Sequence, residues 1–128
     1  MLDHVGFAVK DAERSRAFYI AALAPLGIEL LMTATPDETE SGGTAHGFGK
    51  DDKPFFWFGD KEKTGDAHVA FTADSRKAVE AFYAAALAAG GSDNGAPGLR
   101  PHYHAHYYGA FVKDPDGHNV EAVCHRPE

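Results

Sequence analysis

Residues 4–23 read HVGFAVKDAERSRAFYIAAL, and residues 68–87 read HVAFTADSRKAVEAFYAAAL. The two stretches align without a gap at an offset of 64 residues (68 − 4), which is half of the 128-residue chain. His4 therefore falls on His68, and the run AFY recurs in both. Similarity at a fixed offset indicates an internal duplication. We expect a single domain, 1–128, made of two repeats of about 1–64 and 65–128.

Each half is predicted to begin with a strand and a helix. Leu2 to Val9 alternates apolar and polar residues, and its counterpart at 67–73 does the same, which is typical of strands. Asp11 in the first half and Asp74-Ser75 in the second are candidate helix caps. Shorter strands are then expected at 28–33, 44–49 and 54–59, after 93, at 107–114 and at 119–125. The Gly- and Pro-rich stretch 94–101 is interpreted as a surface loop.

Two such units predict an α+β fold. Two tandem βαβββ modules would form a curved, partly open mixed β-sheet that encloses a cleft. The first strands of the two modules would then occupy equivalent positions, and so would the last strands.

Composition excludes several classes of partner. The chain has a net charge of −7 and a pI of about 5.5, without a Lys/Arg cluster, which argues against binding nucleic acid or an anionic membrane. No apolar run approaches the roughly 20 residues of a membrane-spanning helix. One cysteine, Cys124, and an N-terminus without a signal-peptide pattern favour a cytoplasmic location.

The offset also points to a site. It makes His4 and His68 equivalent, and it pairs Trp57 with Glu121 on the last strands. Each of these residues alone is more simply a polar or apolar strand residue. Together, two imidazoles and one carboxylate form the facial triad that holds a divalent metal and leaves positions open for substrate. Trp57 cannot be a ligand and is predicted to form an apolar wall.

The stretches DHVGFAVKDAERSRAFY, DAHVAF and DPDGHNVEAV, in this order and spacing, resemble the vicinal oxygen chelate superfamily over essentially the whole chain. That superfamily includes glyoxalases, bleomycin-resistance proteins, extradiol dioxygenases and fosfomycin-resistance enzymes. The resemblance implies the glyoxalase/bleomycin resistance/dioxygenase-like fold and module pairing, and we expect a homodimer. It also implies one divalent metal ion (Mn, Fe, Zn, Ni or Co) with His4, His68 and Glu121 as ligands.

Departures from the family patterns narrow the expected chemistry. Glyoxalase I has a second carboxylate as ligand and base where this chain has Trp57, so glyoxalase I activity is not expected. Extradiol dioxygenases and fosfomycin-resistance enzymes have a Tyr ten residues before the Glu, where this chain has Phe111. Phe111 is therefore predicted to line the substrate pocket beside Trp57.

The segment from Gly98 to Tyr108 is rich in His and Tyr. If it is extended, three imidazoles share one face and Tyr103 lies on the other. The segment is either a solvated loop or a cover for the cleft that supplies an acid/base group from His102, Tyr103 or His104. Arg100 is a candidate partner for a substrate carboxylate or phosphonate, and His46 and Phe48 are candidate groove residues. His118 is interpreted as structural, because alternation directs it away from Glu121.

These observations favour a metal-dependent enzyme that acts on a small oxygen-chelating substrate. Lyase or isomerase chemistry, addition and ring cleavage all stay open. One alternative is a metal-free, dimeric small-molecule-binding protein of the bleomycin-resistance type, which the aromatic run FFWF at 55–58 suits equally well. A third is a regulatory domain with a vestigial site.

Overall fold

The computed structural model describes residues 3–39, 41–61 and 67–127, and each half contains four strands and one α-helix. The first module contains β1 (Val5–Ala8), α1 (Ala12–Leu23), β2 (Glu29–Ala34), β3 (Ala45–Lys50) and β4 (Lys53–Gly59). The second contains β5 (His68–Thr72), α2 (Arg76–Ala88), β6 (Ser92–Leu99), β7 (Tyr108–Lys113) and β8 (Asn119–Cys124). Short 3₁₀ helices occur at Ala24–Leu26 and Pro36–Glu38.

The strands form two four-stranded mixed sheets, one in each module. Their strand orders are β1-β4-β3-β2 and β5-β8-β7-β6. In both sheets the first strand is parallel to the last, and the remaining pairs are antiparallel. The predicted α+β fold of two βαβββ modules is confirmed.

The two modules share one pairing register. Gly6 pairs with Trp57 in the first module, and Ala70 pairs with Glu121 in the second. Both residues of the second pair follow their counterparts by 64 positions. The duplication therefore extends beyond the similar residues, and it places Trp57 and Glu121 at equivalent points.

Both helices begin where capping side chains permit. The Asp11 carboxylate accepts hydrogen bonds from the backbone N–H groups of Glu13 and Arg14, and the Ser75 hydroxyl accepts one from Ala78. The predicted caps are thus confirmed. In the described ranges no helix is both long enough and apolar enough to span a membrane.

The stretch 94–101 is not the surface loop that its Gly and Pro content suggested. Most of it belongs to β6, which pairs with β7 through two register shifts, between Asp93 and Gly95 and between Gly95 and Gly98. Because β6 is the outermost strand of its sheet, Pro97 can lack a backbone N–H without breaking an internal ladder.

The core lies between the sheets and the helices. Aromatic side chains dominate it in the first module, whereas small aliphatic ones dominate it in the second. The buried residues include Phe7, Phe18, Tyr19, Phe48, Phe56 and Phe58 in the first and Val79, Phe82, Ala86, Val112, Val120 and Ala122 in the second. Phe56 meets Phe71 edge to face, with ring centroids 5.1 Å apart, which joins the two halves.

The corner between β7 and β8, residues 114–118, fastens the second module to the first. Asp114 is buried and accepts a hydrogen bond of 2.7 Å from the Tyr19 hydroxyl of α1. Burial, together with the Asp114 charge, raises the pKa of Tyr19 well above its ordinary value. Asp116 extends the same link, since its carboxylate accepts from the backbone N–H of Lys10 at 3.0 Å.

His118 completes this fastening. Its Nδ1 accepts from the backbone N–H of Ala67 at 2.8 Å, so the ring proton is on Nε2, which donates to the Ala8 carbonyl at 2.6 Å. The imidazole also stacks on Phe7, with ring centroids 4.1 Å apart, and is only 3% exposed. The predicted structural role of His118 is confirmed.

Candidate functional site

The Glu121 carboxylate is the centre of a polar cluster on β8. It is only 2% exposed. Its Oε1 accepts from the Tyr107 hydroxyl at 3.0 Å, and its Oε2 accepts from the Asn119 amide at 2.8 Å. The His68 Nε2 also contacts Oε2. A buried carboxylate with this many partners is held in one orientation.

His68 connects this buried group to solvent. It begins β5, which runs parallel to β8, and it pairs with Asn119 while Ala70 pairs with Glu121. The His68 side chain is 69% exposed. An imidazole nitrogen and a carboxylate oxygen therefore meet at an open surface, which is the donor chemistry that divalent transition metals prefer.

His4 does not join this pair within the chain. Its Nδ1 lies 2.8 Å from the Asp3 carboxylate, which also accepts from Lys53 Nζ at 3.0 Å. Across residues 3–39, 41–61 and 67–127, no group of three or more His, Cys, Asp or Glu side chains is placed to hold a metal ion. The expected convergence of His4, His68 and Glu121 is thus not found in a single chain, because the two histidines lie on separate sheets.

Trp57 lines a pocket in the first module. The pocket has a volume of about 520 Å³ and is lined by His4, Gly6, Phe7, Ala45, Trp57, Phe58 and Gly59. The indole lies across the neighbouring strand, since a Cβ added at Gly47 would come within 2.8 Å of it. A half-exposed aromatic wall is therefore present where glyoxalase I would have its second carboxylate.

Phe111 and Arg100 flank Glu121 on the other side. Phe111 pairs directly with Glu121 across β7 and β8 and is half-buried. The Arg100 guanidinium lies over the Phe111 ring, 5.1 Å from its centroid. Both residues lie close to the polar cluster that contains Glu121.

The His- and Tyr-rich segment is not extended. Residues 101–106 form successive turns, in which the backbone N–H of Tyr103 donates to Arg100 and that of Tyr107 donates to His104. The condition for three imidazoles to share one face is therefore not met, and the exposed turns at 101–106 agree with the alternative of a solvated loop. His102 packs on Tyr103 with ring centroids 4.2 Å apart, and His104 lies 5.6 Å from the His125 ring.

Tyr107 is the site residue that sequence reasoning missed. Its ring lies 5.1 Å from that of Tyr103, while its hydroxyl reaches Glu121. The predicted acid/base groups His102, Tyr103 and His104 make no hydrogen bond to Glu121 among the described contacts. Tyr107 lies fourteen residues before Glu121 (121 − 107), so a search for the family's tyrosine at ten residues could not find it.

The surroundings of the Tyr107 hydroxyl raise its pKa. Burial and then the hydrogen bond to Glu121 raise the pKa of Tyr107 to about 12. Both effects favour the protonated phenol, the form in which the hydroxyl donates to Glu121.

His46 and Phe48 do not line the groove. Both are buried on the side of β3 that faces α1, because alternation directs them away from Trp57. His46 Nδ1 lies 2.9 Å from the Thr33 hydroxyl, and burial lowers the pKa of His46. Phe48 belongs to the hydrophobic core, which was the other role considered for it, and His46 is a buried polar residue, so neither faces the pocket beside Trp57.

Two βαβββ modules, each with one mixed sheet, define a class of small two-module proteins. In this chain the second sheet carries a buried glutamate that contacts a histidine. A family model described as the glyoxalase/bleomycin resistance protein/dioxygenase superfamily matches residues 1–122. The chain belongs to this superfamily. None of the curated protein sequences matches the chain significantly.

Solved structures of this fold are similar over nearly the whole chain. A glyoxalase/bleomycin resistance protein from Albidiferax ferrireducens T118 is 28% identical, with a TM-score of 0.74 and 97% coverage of both chains. A putative glyoxalase from Bacillus halodurans is 26% identical, with a TM-score of 0.66 and coverage of 97% and 95%.

Glyoxalase I from Zea mays is also similar. It is 28% identical with a TM-score of 0.69, and the match covers 95% of this chain and 45% of the maize chain. This chain therefore corresponds to less than half of that enzyme.

Proposed function

We propose that the protein is a divalent-metal-dependent enzyme that acts on a small substrate with chelating oxygen atoms. The observation that carries this proposal is the pairing of buried Glu121 with exposed His68 at an open surface. A carboxylate costs free energy when it is buried, so a glutamate retained there is expected to have a function.

The donor set fits a divalent ion. His68 and Glu121 of one protomer would hold it together with His4 of the partner subunit. Because the register makes His4 equivalent to His68, a second copy related by a twofold axis can supply the missing imidazole. Such a homodimer would also cover the outer edges of β1 and β5, which end their sheets. When bound, the metal would supply Lewis-acid stabilisation of an oxyanion.

The protein's own side chains have defined tasks in this proposal. Tyr107 and Asn119 orient the Glu121 carboxylate through one oxygen each. Trp57 and Phe111 provide apolar walls that exclude water from the substrate. Lyase or isomerase reactions, addition and ring cleavage all stay open, but a glyoxalase I reaction needs a base where Trp57 stands.

A second candidate function is metal-free binding of a small aromatic or apolar molecule. The pocket beside Trp57 favours it, because its volume suits a small ligand and its lining is largely apolar. In this case Glu121 would be only a structural anchor for Tyr107.

Metal analysis of protein purified without a polyhistidine tag separates the two functions. The enzyme proposal predicts a stoichiometric divalent ion that Glu121→Gln removes, and a dimer mass by light scattering at micromolar concentration. A monomer that binds no Mn, Fe, Zn, Ni or Co would contradict the proposal.

With one cysteine in the chain, we expect the protein to act in the cytoplasm.

A further inference from the structure

The Arg100 guanidinium lies close to Gly95 and Gly98 of β6, the outermost strand of the second sheet. A Cβ added at Gly98 would come within 3.0 Å of its Nη1, and one added at Gly95 within 3.3 Å of its Nη2. The Nη2 group donates to the Ala96 carbonyl at 2.8 Å, and Phe111 lies beneath the guanidinium. The guanidinium is therefore positioned before any ligand arrives.

Arg100 differs from Arg14 and Arg16 in its charge environment. Arg14 lies 3.6 Å from Asp116, and Arg16 lies 4.0 Å from Glu13. In the part of the chain that the structure describes, no ion pair to a carboxylate is found for Arg100. On a chain of net charge −7, a positioned guanidinium without an acidic partner is available for an external anion.

The location of Arg100 relates it to the proposed metal ligands. Phe111, whose ring lies beneath the Arg100 guanidinium, is the direct partner of Glu121 across β7 and β8. Arg100 follows β6, and two strand spacings of about 4.8 Å separate β6 from β8. The hydrogen bond from the Arg100 backbone N–H to the Tyr107 carbonyl, at 2.7 Å, fixes the end of β6 beside the polar cluster.

We propose that Arg100 binds a carboxylate of the substrate. This carboxylate is at the end of the substrate opposite its chelating oxygens. The substrate class is thus a small carboxylic acid whose chelating oxygens are directed toward His68 and Glu121. The planar fork of arginine matches the two oxygens of a carboxylate, which a lysine would not. The chelating end of this assignment rests on the proposed function, whereas the carboxylate end rests on Arg100 alone.

The test uses two probes of one shape, para-carboxybenzohydroxamate and its neutral para-carboxamide analogue. Calorimetry measures their dissociation constants with Mn²⁺ and again with EDTA. We expect wild-type protein to bind the carboxylate probe roughly tenfold to a hundredfold more tightly, as for a charge-assisted hydrogen-bonded pair. Arg100→Gln should abolish this preference, and Arg100→Lys should restore only part of it.

The matched control is Arg76→Gln. Arg76 also lies over an aromatic ring, that of Tyr108 at 5.1 Å, but it belongs to α2. The Arg76→Gln substitution removes the same charge as Arg100→Gln and should leave the preference for the carboxylate probe intact. Thermal unfolding confirms that each variant is folded. The inference is overturned if wild-type protein shows no measurable preference in either condition, or if Arg100→Gln keeps it. Failure of the metal proposal shows separately, as equal binding with Mn²⁺ and with EDTA.

Discussion

Trp57 pairs with Gly47 in the first module, and Glu121 pairs with Phe111 at the equivalent point of the second. In one module the bulky ring belongs to the last strand and crosses a glycine. In the other the ring belongs to the neighbouring strand and leaves the last strand a carboxylate. The shared backbone register is therefore a scaffold, and the exchange of side chains upon it separates an apolar wall from a candidate ligand.

The largest effect is expected where the two modules differ most. Glu121→Gln removes the only negative charge among the proposed ligands, so metal affinity should fall by more than the roughly hundredfold typical of a lost outer-shell partner. Trp57→Phe, at the equivalent position, should leave the affinity within about twofold. Competition with a fluorescent chelator measures both. Equal losses in the two variants would show that the modules do not differ in the way described.

A second comparison concerns the two corners that precede the last strands. His118 in the second corner makes two hydrogen bonds and a stack, whereas Asp51 and Asp52 in the first corner have φ values of 51° and 63° and only turn the chain. His118→Ala should lower the free energy of unfolding by about 2 kcal/mol, because the Ala8 carbonyl and the Ala67 N–H each lose the hydrogen bond to the imidazole.

The control for this prediction is Asp52→Gly. Glycine accepts positive φ, so the free energy of unfolding should change by no more than about 1 kcal/mol. Urea denaturation measures both variants. If His118→Ala were as mild as Asp52→Gly, the second corner would not fasten the modules.

A smaller effect is expected at alkaline pH. Because the pKa of Tyr107 in the folded protein is about 12, above its ordinary value of 10.0, its contribution to stability is complete below pH 10. That contribution is lost as the pH rises through about 12. The stability difference between wild-type protein and Tyr107→Phe should therefore shrink over this range in urea titrations. A difference that stays constant would mean that the Tyr107 hydroxyl does not bond to Glu121.

The smallest expected signal is an absence of activity. An indole accepts no proton at neutral pH, so the wild-type protein should not isomerise the glutathione hemithioacetal of methylglyoxal. Trp57 is the only tryptophan, and quenching of its fluorescence by an aromatic ligand would report binding beside it. Efficient turnover with Trp57 in place would mean that another residue supplies the base.

The duplication made most of the fold predictable. Because 4–23 and 68–87 align without gaps, the βαβββ order of each half and the equivalence of Trp57 and Glu121 followed from one offset, whereas the helix caps followed from the residue types at Asp11 and Ser75. A strand was expected after Asp93, but the course of β6 through 94–99 was interpreted as a loop, because glycine and proline usually indicate one although an edge strand tolerates both. Alternation would have placed His46 on the helix side if its partner Phe58 had been considered.

The candidate site was less predictable. Tyr107 reaches Glu121 only because residues 101–106 turn back on themselves, and no periodicity in the sequence specifies that turn. The separation of His4 from His68 is likewise a matter of how two sheets are arranged, which strand patterns do not determine. A duplication predicts which positions of the two modules are equivalent. It does not predict which of those equivalent residues lie close together in the folded protein.

In the proposed function two chains share each metal site, which takes His4 from one chain and His68 and Glu121 from the other. The direct test is a mixed dimer of a His4→Ala chain and a Glu121→Gln chain, isolated through two different peptide tags that lack histidine. If each site takes His4 from one chain and Glu121 from the other, one site of the mixed dimer carries both changes and the other carries neither. We predict that the mixed dimer binds one divalent ion, while each mutant homodimer binds none. A mixed dimer as empty of metal as both homodimers would contradict the claim.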